Sequence, residues 1–283
     1  MVSTNVKGFS CEDMIPQGIE AAGGYIFITA YCYEEEHNSV IYVLDSSTKA
    51  YITTLVMPHS THSGGIAYAD SCLWVCSGNN SKGKAILYYY SFPEIKEAIE
   101  YAKTNSNVKS IYLGLYTKGQ VYLKNQEKCS FITAYKDYIC VGEYYEDEEG
   151  CLGIYNADAT NGATLSAVKM NKIPEKAQGA AIYSINNNIY LLITTSSGII
   201  CRSEIFVYCI SGTQLTGAMK YRKHIEMPKM VEEAMVLNGK VYFVFESGSN
   251  HWGSLIKVAA AAGIASADIV GKVCGFTTSF IFK

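Results

Sequence analysis

Short, mostly hydrophobic, strand-like runs recur along this chain in pairs, and each pair has the form of two strands joined by a tight turn. In the first unit, the run from Gln17 to Ala21 precedes Gly23-Gly24, and the run from Tyr25 to Ala30 follows. Units of the same form begin near residues 64, 130, 178 and 232. Most of their turns contain Gly, Asn or Asp, which tolerate the positive φ angles of tight hairpins. The pattern predicts five β-hairpins of similar design.

A third strand-like run follows the hairpin in most units, and fourth strands are recognisable in some. The third runs are Ser39 to Leu44, Ala85 to Tyr89, Cys151 to Tyr155 and Ile205 to Tyr208. The fourth are expected at Tyr51 to Val56, near Ser110 to Leu115 and at Ala163 to Val168. A mean spacing of about 54 residues with four strands a unit is typical of a β-propeller. We therefore predict an all-β, five-bladed β-propeller that forms one domain over residues 1–283.

Helical periodicity is confined to two places. The segment from Pro93 to Ala102 has a proline suited to a first helical turn and apolar residues at helical spacing, so we predict one short helical insertion in the second blade. The segment from Val258 to Ala267 is rich in alanine but contains Gly263, which leaves a short helix or a loop as alternatives. An open ring would expose the edge of a sheet, so we expect a terminal segment to complete the last blade. The candidates are Thr4 to Phe9 and Thr277 to Phe282.

Two segments carry a resemblance to known repeat proteins. They are Gly64-Gly65-Ile66-Ala67-Tyr68 leading to Leu73-Trp74-Val75, and Glu232-Glu233 leading to Phe245-Glu246-Ser247-Gly248. With them the chain, from about residue 15 to 250, resembles β-propeller repeat proteins, and more narrowly a group of uncharacterised, often secreted bacterial propeller proteins. The Trp-Asp ending and the Gly-Gly pattern of the familiar propeller classes do not recur in all five units. The resemblance implies the fold and carries over no catalytic residue.

Composition and charge exclude several classes of protein. Of the 283 residues, 49% are hydrophobic and 17% are charged, which excludes a disordered chain. The net charge of -3 offers no basic excess for binding nucleic acid. No run approaches the roughly 18 apolar residues of a membrane span, and the start of the chain lacks an apolar signal core. We expect a monomer with neither a nucleic-acid partner nor a membrane span, cytoplasmic as given; secretion with the signal removed is the alternative.

The ten cysteines are too few for a disulfide scaffold in a chain of this length. Several, such as Cys76, Cys140 and Cys209, lie inside apolar runs, and free cysteine behaves as a small buried hydrophobe. Reduced core thiols are therefore expected, with the disulfides of a secreted protein as the alternative. Cys72 and Cys76 have no second ligand pair at zinc-finger spacing, so we predict no metal site. No motif identifies a cofactor.

The geometry of a propeller collects polar residues that are distant in the sequence. The innermost strand of each blade lines the channel and the second strand runs antiparallel to it, so the start of the first and the end of the second lie on one rim. The residues expected there are Gln17, Tyr31, His62, Tyr144, Gln178, Arg202, Glu232 and Glu246. A concavity with apolar or aromatic walls and a few convergent polar groups is the usual form of a ligand site.

The first function compatible with such a rim is recognition of a small polar or glycan-like ligand. Tyr31 and Tyr144 would stack on the ligand, while Gln17, Gln178 and Arg202 would form hydrogen bonds with it. The chain contains no nucleophile elbow, no His-Glu-x-x-His motif and no phosphate loop, which favours binding over catalysis.

Two alternatives stay open on the same residues. One is a hydrolase or lyase in which Glu232, Glu246 or His62 serves as acid or base. The other is an interaction scaffold whose rim meets a second protein. A structural role is also open for two features, because His62 could fix a turn and Arg202 could pair with a carboxylate to stabilise the rim.

Overall fold

The computed structural model describes residues 11–79, 84–262 and 269–282, and its strands form five sheets. The first sheet begins with four strands, each antiparallel to the one before it. They are β1 (Met14–Ala22), β2 (Tyr25–Cys32), β3 (Val40–Asp45) and β4 (Tyr51–Val56). The hairpin, third strand and fourth strand that the pattern predicts for this unit are therefore all present.

The second unit contains a helix between its third and fourth strands. Its elements are β5 (Ile66–Ala69), β6 (Cys72–Asn79), β7 (Ala85–Ser91), α1 (Phe92–Thr104), β8 (Ser110–Tyr112) and β9 (Lys118–Leu123). Helix α1 has Pro93 in its first turn, where a missing N–H leaves no hydrogen bond unmade, and it buries Ile95 and Ile99 in the core beside the first two sheets. The predicted helical insertion in the second blade is confirmed.

Three further units complete the described chain. The third comprises β10 (Phe131–Tyr135), β11 (Tyr138–Gly142), β12 (Gly150–Asn156), β13 (Thr164–Leu165) and β14 (Lys169–Ile173). The fourth comprises β15 (Ala177–Ile185), β16 (Asn188–Thr195), β17 (Ser203–Ile210) and β18 (Met219–Met227). The fifth comprises β19 (Val231–Leu237), β20 (Lys240–Phe245), α2 (Asn250–Ala261), β21 (Cys274–Thr277) and α3 (Thr278–Phe282).

Two short strands join the sheet of the preceding blade rather than their own. Strand β8 pairs in parallel with β4, and β13 pairs in parallel with β9. The fourth strands predicted near Ser110 to Leu115 and at Ala163 to Val168 are therefore wrong, because β9 and β14 take those places. The unpaired N–H and C=O groups at the edge of a sheet offer such a pairing site to any extended segment that passes it.

The innermost strands close into a ring. Strands β1, β5, β10, β15 and β19 contact one another in this order, and β19 contacts β1. The chain is thus a five-bladed β-propeller, as the sequence predicts. Hydrophobic clusters fill the space between neighbouring blades. The cluster between the last and first blades is the smallest, with only Ile19, Ile26, Met235 and Val244 fully buried in it.

The C-terminal part of the fold differs from its prediction in two ways. Strand β21 does join the last blade, as its outermost strand, but it ends at Thr277, and the residues after it form α3. The alternative closing segment, Thr4 to Phe9, lies outside the described residues. Helix α2 begins at Asn250, well before the predicted start at Val258, because Oγ of Ser249 accepts the backbone N–H of Trp252 and caps it. None of the described helices is long and apolar enough to span a membrane.

Candidate functional site

A cavity of about 500 Å³ opens where the innermost strands begin, at one end of the channel. All five blades contribute to its lining, which consists of Gln17, Tyr31, His62, Lys128, Cys129, Ser130, Tyr144, Gln178, Glu246 and Trp252. Six of the eight predicted rim residues are among them, and Arg202 and Glu232 are not. The volume falls within the range of about 300–1,000 Å³ that is typical of small-molecule sites.

One position of the repeat supplies much of the cavity floor, and we call it the cavity position. Its five members are Gln17, Gly64, Ser130, Gln178 and Glu232. β-Bulges occur at this point in the first, fourth and fifth blades, and a bulge redirects the side chains around it. The second blade has no room for a side chain here, because a Cβ on Gly64 would lie 2.0 Å from the carbonyl oxygen of Ser130.

The first and last blades meet at a polar contact inside the cavity. Nε2 of Gln17 donates a hydrogen bond of 2.5 Å to Oε1 of Glu246. Burial raises the pKa of Glu246 to about 7, and the bond from Gln17 offsets part of that rise. At neutral pH this carboxyl group can therefore exchange a proton, which is the property required of a general acid or base.

Glu232 lies close to the cavity without lining it. The side chain is 2% exposed, and its Oε1 accepts no hydrogen bond from the described residues. Burial, followed by the charges of Glu246 and Glu233, raises its pKa well above the ordinary value. A neutral carboxylic acid is the form that such an environment favours, since a buried charge without a partner is costly.

His62 and Tyr31 form one wall of the cavity. Their ring centroids are 4.2 Å apart and the two ring planes are inclined by 34°. His62 is accessible from the cavity, yet the protein around it displaces enough water to lower its pKa to about 4. The imidazole is therefore neutral at pH 7, where one ring nitrogen donates a hydrogen bond and the other accepts one.

The wall contributed by the third blade is held by backbone contacts. The N–H of Tyr144 donates to Oγ of Ser130 (3.0 Å), and Nζ of Lys128 donates to the carbonyl oxygen of Tyr144 (3.1 Å). The same ammonium lies 3.8 Å from the ring centroid of Tyr145. Lys128 lies two residues before the cavity position of the third blade, and His62 lies two residues before that of the second. Because His62 was predicted at the rim, its equivalent position in the repeat could have identified Lys128 as well.

The capped start of α2 brings Trp252 to the cavity. Its ring meets Tyr33 edge to face at 5.8 Å between centroids, and Tyr33 also stacks on His251 at 3.6 Å. Nε1 of Trp252 is buried without a hydrogen-bond acceptor among the described residues. The cavity thus has three aromatic walls, formed by Tyr31, Tyr144 and Trp252.

Arg202 does not belong to this cavity. It lines a separate cavity of about 250 Å³ together with Glu175, Lys176 and Glu204. The reason is its place in the fourth blade, at the end of the loop 196–202 and next to β17, the third strand outward from the channel. The loop begins at the end of β16, beside the start of β15, so Arg202 is at the predicted end of the blade but does not line the cavity with Gln17 and Gln178.

The next position of the repeat, which we call the centre position, lies inside the ring. Its members are Gly18, Gly65, Phe131, Gly179 and Glu233. The carboxylate of Glu233 accepts the backbone N–H groups of Ile19 (3.0 Å), Ile66 (3.2 Å) and Ile132 (3.3 Å), so that one side chain bridges four blades.

The glycines make this bridge possible. A Cβ on Gly18 or on Gly65 would come within 2.8 or 2.9 Å of the Glu233 carboxylate, and one on Gly179 within 2.4 Å of its Cα. Burial raises the pKa of Glu233 well above its ordinary value, although the three N–H donors oppose the rise. The role of Glu233 as a bridge between blades was not predicted from the sequence. The glycines at the same repeat position in three other blades are the signal that could have indicated it.

Comparison with known proteins identifies the fold alone. No family model and no curated protein matches the chain. Among solved structures, a mutant GH43 protein from Bacillus licheniformis is 13% identical with a TM-score of 0.50, over 83% of this chain and 49% of that one. A GH43 β-xylosidase/α-arabinofuranosidase from a compost microbial metagenome is 10% identical with a TM-score of 0.49, over 94% and 90%. At 13% identity, the likeness to the Bacillus licheniformis protein concerns the fold alone.

Proposed function

We propose that the cavity binds a small polar ligand of the saccharide type. The observation that carries the proposal is the combination of three aromatic walls with Gln17, Gln178 and Glu246 on the floor and sides. Pyranose rings present an apolar face that stacks on aromatic rings, and their hydroxyl groups pair with amide and carboxyl groups that both donate and accept. The cavity provides both kinds of contact in one space.

The charges around the cavity favour an uncharged ligand over an anionic one. Lys128 already interacts with a carbonyl oxygen and an aromatic ring, and His62 is neutral at pH 7. Glu246 would repel a phosphate or carboxylate whenever it is ionised. A nucleotide or an organic acid would therefore lose its hydration without gaining a free cationic partner among the described residues of the cavity, so its binding is disfavoured.

A thermal-shift screen tests the proposal, because a ligand that binds only the folded state raises the unfolding temperature. The panel contains neutral mono- and oligosaccharides, nucleotides and organic acids. We expect a shift with at least one saccharide, and we expect Tyr31→Ala to abolish it while Tyr101→Ala, on the exposed face of α1, retains it. The absence of any saccharide shift, or an equal shift in both variants, would contradict the proposal.

A second candidate, hydrolysis of a glycoside, is favoured by one observation. Glu246 faces the cavity with a pKa of about 7, which suits a carboxyl group that protonates a leaving group. The test is release of reducing ends from the saccharide identified by the screen. If the protein is a hydrolase, Glu246→Gln and Glu232→Gln should abolish turnover while the thermal shift persists; without turnover in the wild type, binding is the function.

The finer predictions from the sequence are carried forward as proposals. They are a monomer that forms one domain over residues 1–283, a relationship to often secreted bacterial propeller proteins, and a cytoplasmic location with secretion as the alternative. Light scattering coupled to gel filtration tests the first of these, and a mass of twice the 31.1 kDa of the chain would contradict it.

A further inference from the structure

Three metal-binding side chains converge at the edge of the first blade, outside the cavity described above. Sγ of Cys11 lies 3.5 Å from Sγ of Cys32, and Sγ of Cys32 lies 3.4 Å from Nδ1 of His37. All three ligand atoms lie within 4.8 Å of one another. Both cysteines are buried and His37 is half-buried, so the cluster has an inner side in the protein and an outer side towards solvent.

Backbone pairing brings these residues together. Cys32 is the last residue of β2 and pairs with Met14, the first residue of β1, while the N–H of Tyr33 donates to the carbonyl oxygen of Asp13. The segment before β1 therefore lies against the end of β2. The following loop turns back at Glu35, which has a φ of 56° and donates its N–H to the carbonyl oxygen of Cys32.

The spacing of the ligand atoms suits a shared cation. Around a tetrahedral zinc ion with Zn–S near 2.3 Å and Zn–N near 2.0 Å, two sulfurs lie roughly 3.8 Å apart, and a sulfur and a nitrogen roughly 3.5 Å apart. The observed separations of 3.5 and 3.4 Å are close to both values. A disulfide would require an S–S distance of about 2.05 Å and would give His37 no role.

A small cavity beside two of these residues, Cys32 and His37, provides an independent observation. It measures about 30 Å³ and is bordered by Cys32, Glu35 and His37. This space holds about one water or ligand oxygen. Zinc is usually four-coordinate, and a site with three cysteine and histidine donors completes its set with a water.

We propose that Cys11, Cys32 and His37 bind one zinc ion, with a water as the fourth ligand. The ion would join the segment before β1 to the loop between β2 and β3. Neighbouring contacts extend that join towards the ligand cavity: Nδ2 of Asn250 donates to the carbonyl oxygen of Glu12 (3.0 Å), and Tyr33 stacks on His251. The zinc site lies outside the ligand cavity, so it does not depend on the proposed saccharide function.

Cobalt substitution tests the proposal in the untagged full chain, purified under reducing conditions and freed of metal with a chelator. Titration with Co²⁺ should give thiolate-to-cobalt absorption in the near ultraviolet that saturates at one equivalent and is displaced by Zn²⁺. We expect Cys11→Ser and His37→Ala to weaken binding at least tenfold. The matched controls are Cys201→Ser and His224→Ala, which change exposed residues outside the cluster and should bind as the wild type does.

Thiol titration of the unfolded chain, prepared without reductant, adds a second test. Ten free thiols are expected, and two fewer, with Cys11 and Cys32 linked, would overturn the proposal in favour of a disulfide. Absence of the absorption, or its retention in both cluster variants, would also overturn it. His37→Ala keeps the test decisive if Cys11→Ser fails to fold, because His37 lies in a loop and is only half-buried.

Discussion

The cavity position and the centre position of the repeat are adjacent in the sequence, yet their environments are opposite. Side chains at the cavity position are polar in four of five blades, and those of Gln17, Ser130 and Gln178 face the open cavity. The centre position holds three glycines, Phe131 and Glu233, and the Glu233 carboxylate accepts three backbone N–H groups. Side chains at the cavity position are available for contact with a ligand, whereas the hydrogen-bonding groups at the centre position are occupied by contacts within the protein.

Glu232 and Glu233 show the contrast within a single dipeptide. Both side chains are almost completely buried, and burial raises the pKa of both. Glu233 has three hydrogen bonds from other blades, while Oε1 of Glu232 has none from the described residues. Burial alone therefore does not distinguish the two carboxyl groups, whereas their hydrogen-bond partners do.

The largest effect is expected from removing the central carboxylate. Glu233→Ala should lower the free energy of unfolding by about 3 kcal/mol or more, because each of three buried N–H groups loses its acceptor at a cost of about 1–3 kcal/mol. Urea unfolding measures the change. Glu97→Ala, on the exposed face of α1, is the control and should stay within about 0.5 kcal/mol of the wild type. Equal stability of the two variants would contradict the structural role of Glu233.

A second test adds bulk at the centre position. A Cβ on Gly65 would lie 2.6 Å from the backbone nitrogen of Ile132 and 2.9 Å from the Glu233 carboxylate. Gly65→Ala should therefore destabilise the ring by about 2 kcal/mol or more, since a tightly packed backbone cannot move away. Gly271→Ala, where a Cβ would meet no atom within 4 Å, should change stability little. Thermal unfolding of both variants measures the difference.

A smaller effect is expected from pH. The pKa of Glu246 is raised to about 7 in the folded state from an ordinary value of 4.5, so the folded protein holds this proton where the unfolded chain has released it. The contribution of Glu246 to stability should therefore fall as pH rises from about 4.5 through about 7, whereas His62, with its lowered pKa, contributes the opposite slope below about pH 6.5. Glu246→Gln removes this contribution, so the stability measured by urea unfolding should fall less, or rise more, with pH in the variant than in the wild type. The same slope in both proteins would contradict the assignment.

The repeat made the fold predictable. Hairpins with Gly, Asn and Asp turns are local features, and the helical spacing of Ile95 and Ile99 marked α1. The pairing of β8 and β13 with the preceding blades was missed because their partner strands are far away in the sequence. With three and two residues, respectively, these strands are also too short to show a periodicity. Helix α2 was predicted too late because its start depends on a cap at Ser249 rather than on hydrophobic spacing.

The candidate site was predictable only as far as the ring geometry determines it. Counting from strand starts places Gln17, His62 and Gln178 at the cavity. Arg202 was predicted from its place in the loop after β16, and it lines a different cavity, because the length of a loop does not reveal how far outward it carries a side chain. The cluster of Cys11 with Cys32 and His37 has no metal-binding spacing in the sequence, since strand pairing alone brings Cys11 to the others.

The most direct test of the account separates recognition from stability at one position. Calorimetric titration of the best saccharide from the screen would compare the wild type with Gln178→Ala, alongside urea unfolding of both proteins. The account predicts that affinity falls at least fivefold, about 1 kcal/mol, while the free energy of unfolding changes by less than about 1 kcal/mol. Unchanged affinity, or a loss of stability as large as that of Glu233→Ala, would contradict the division between the two positions.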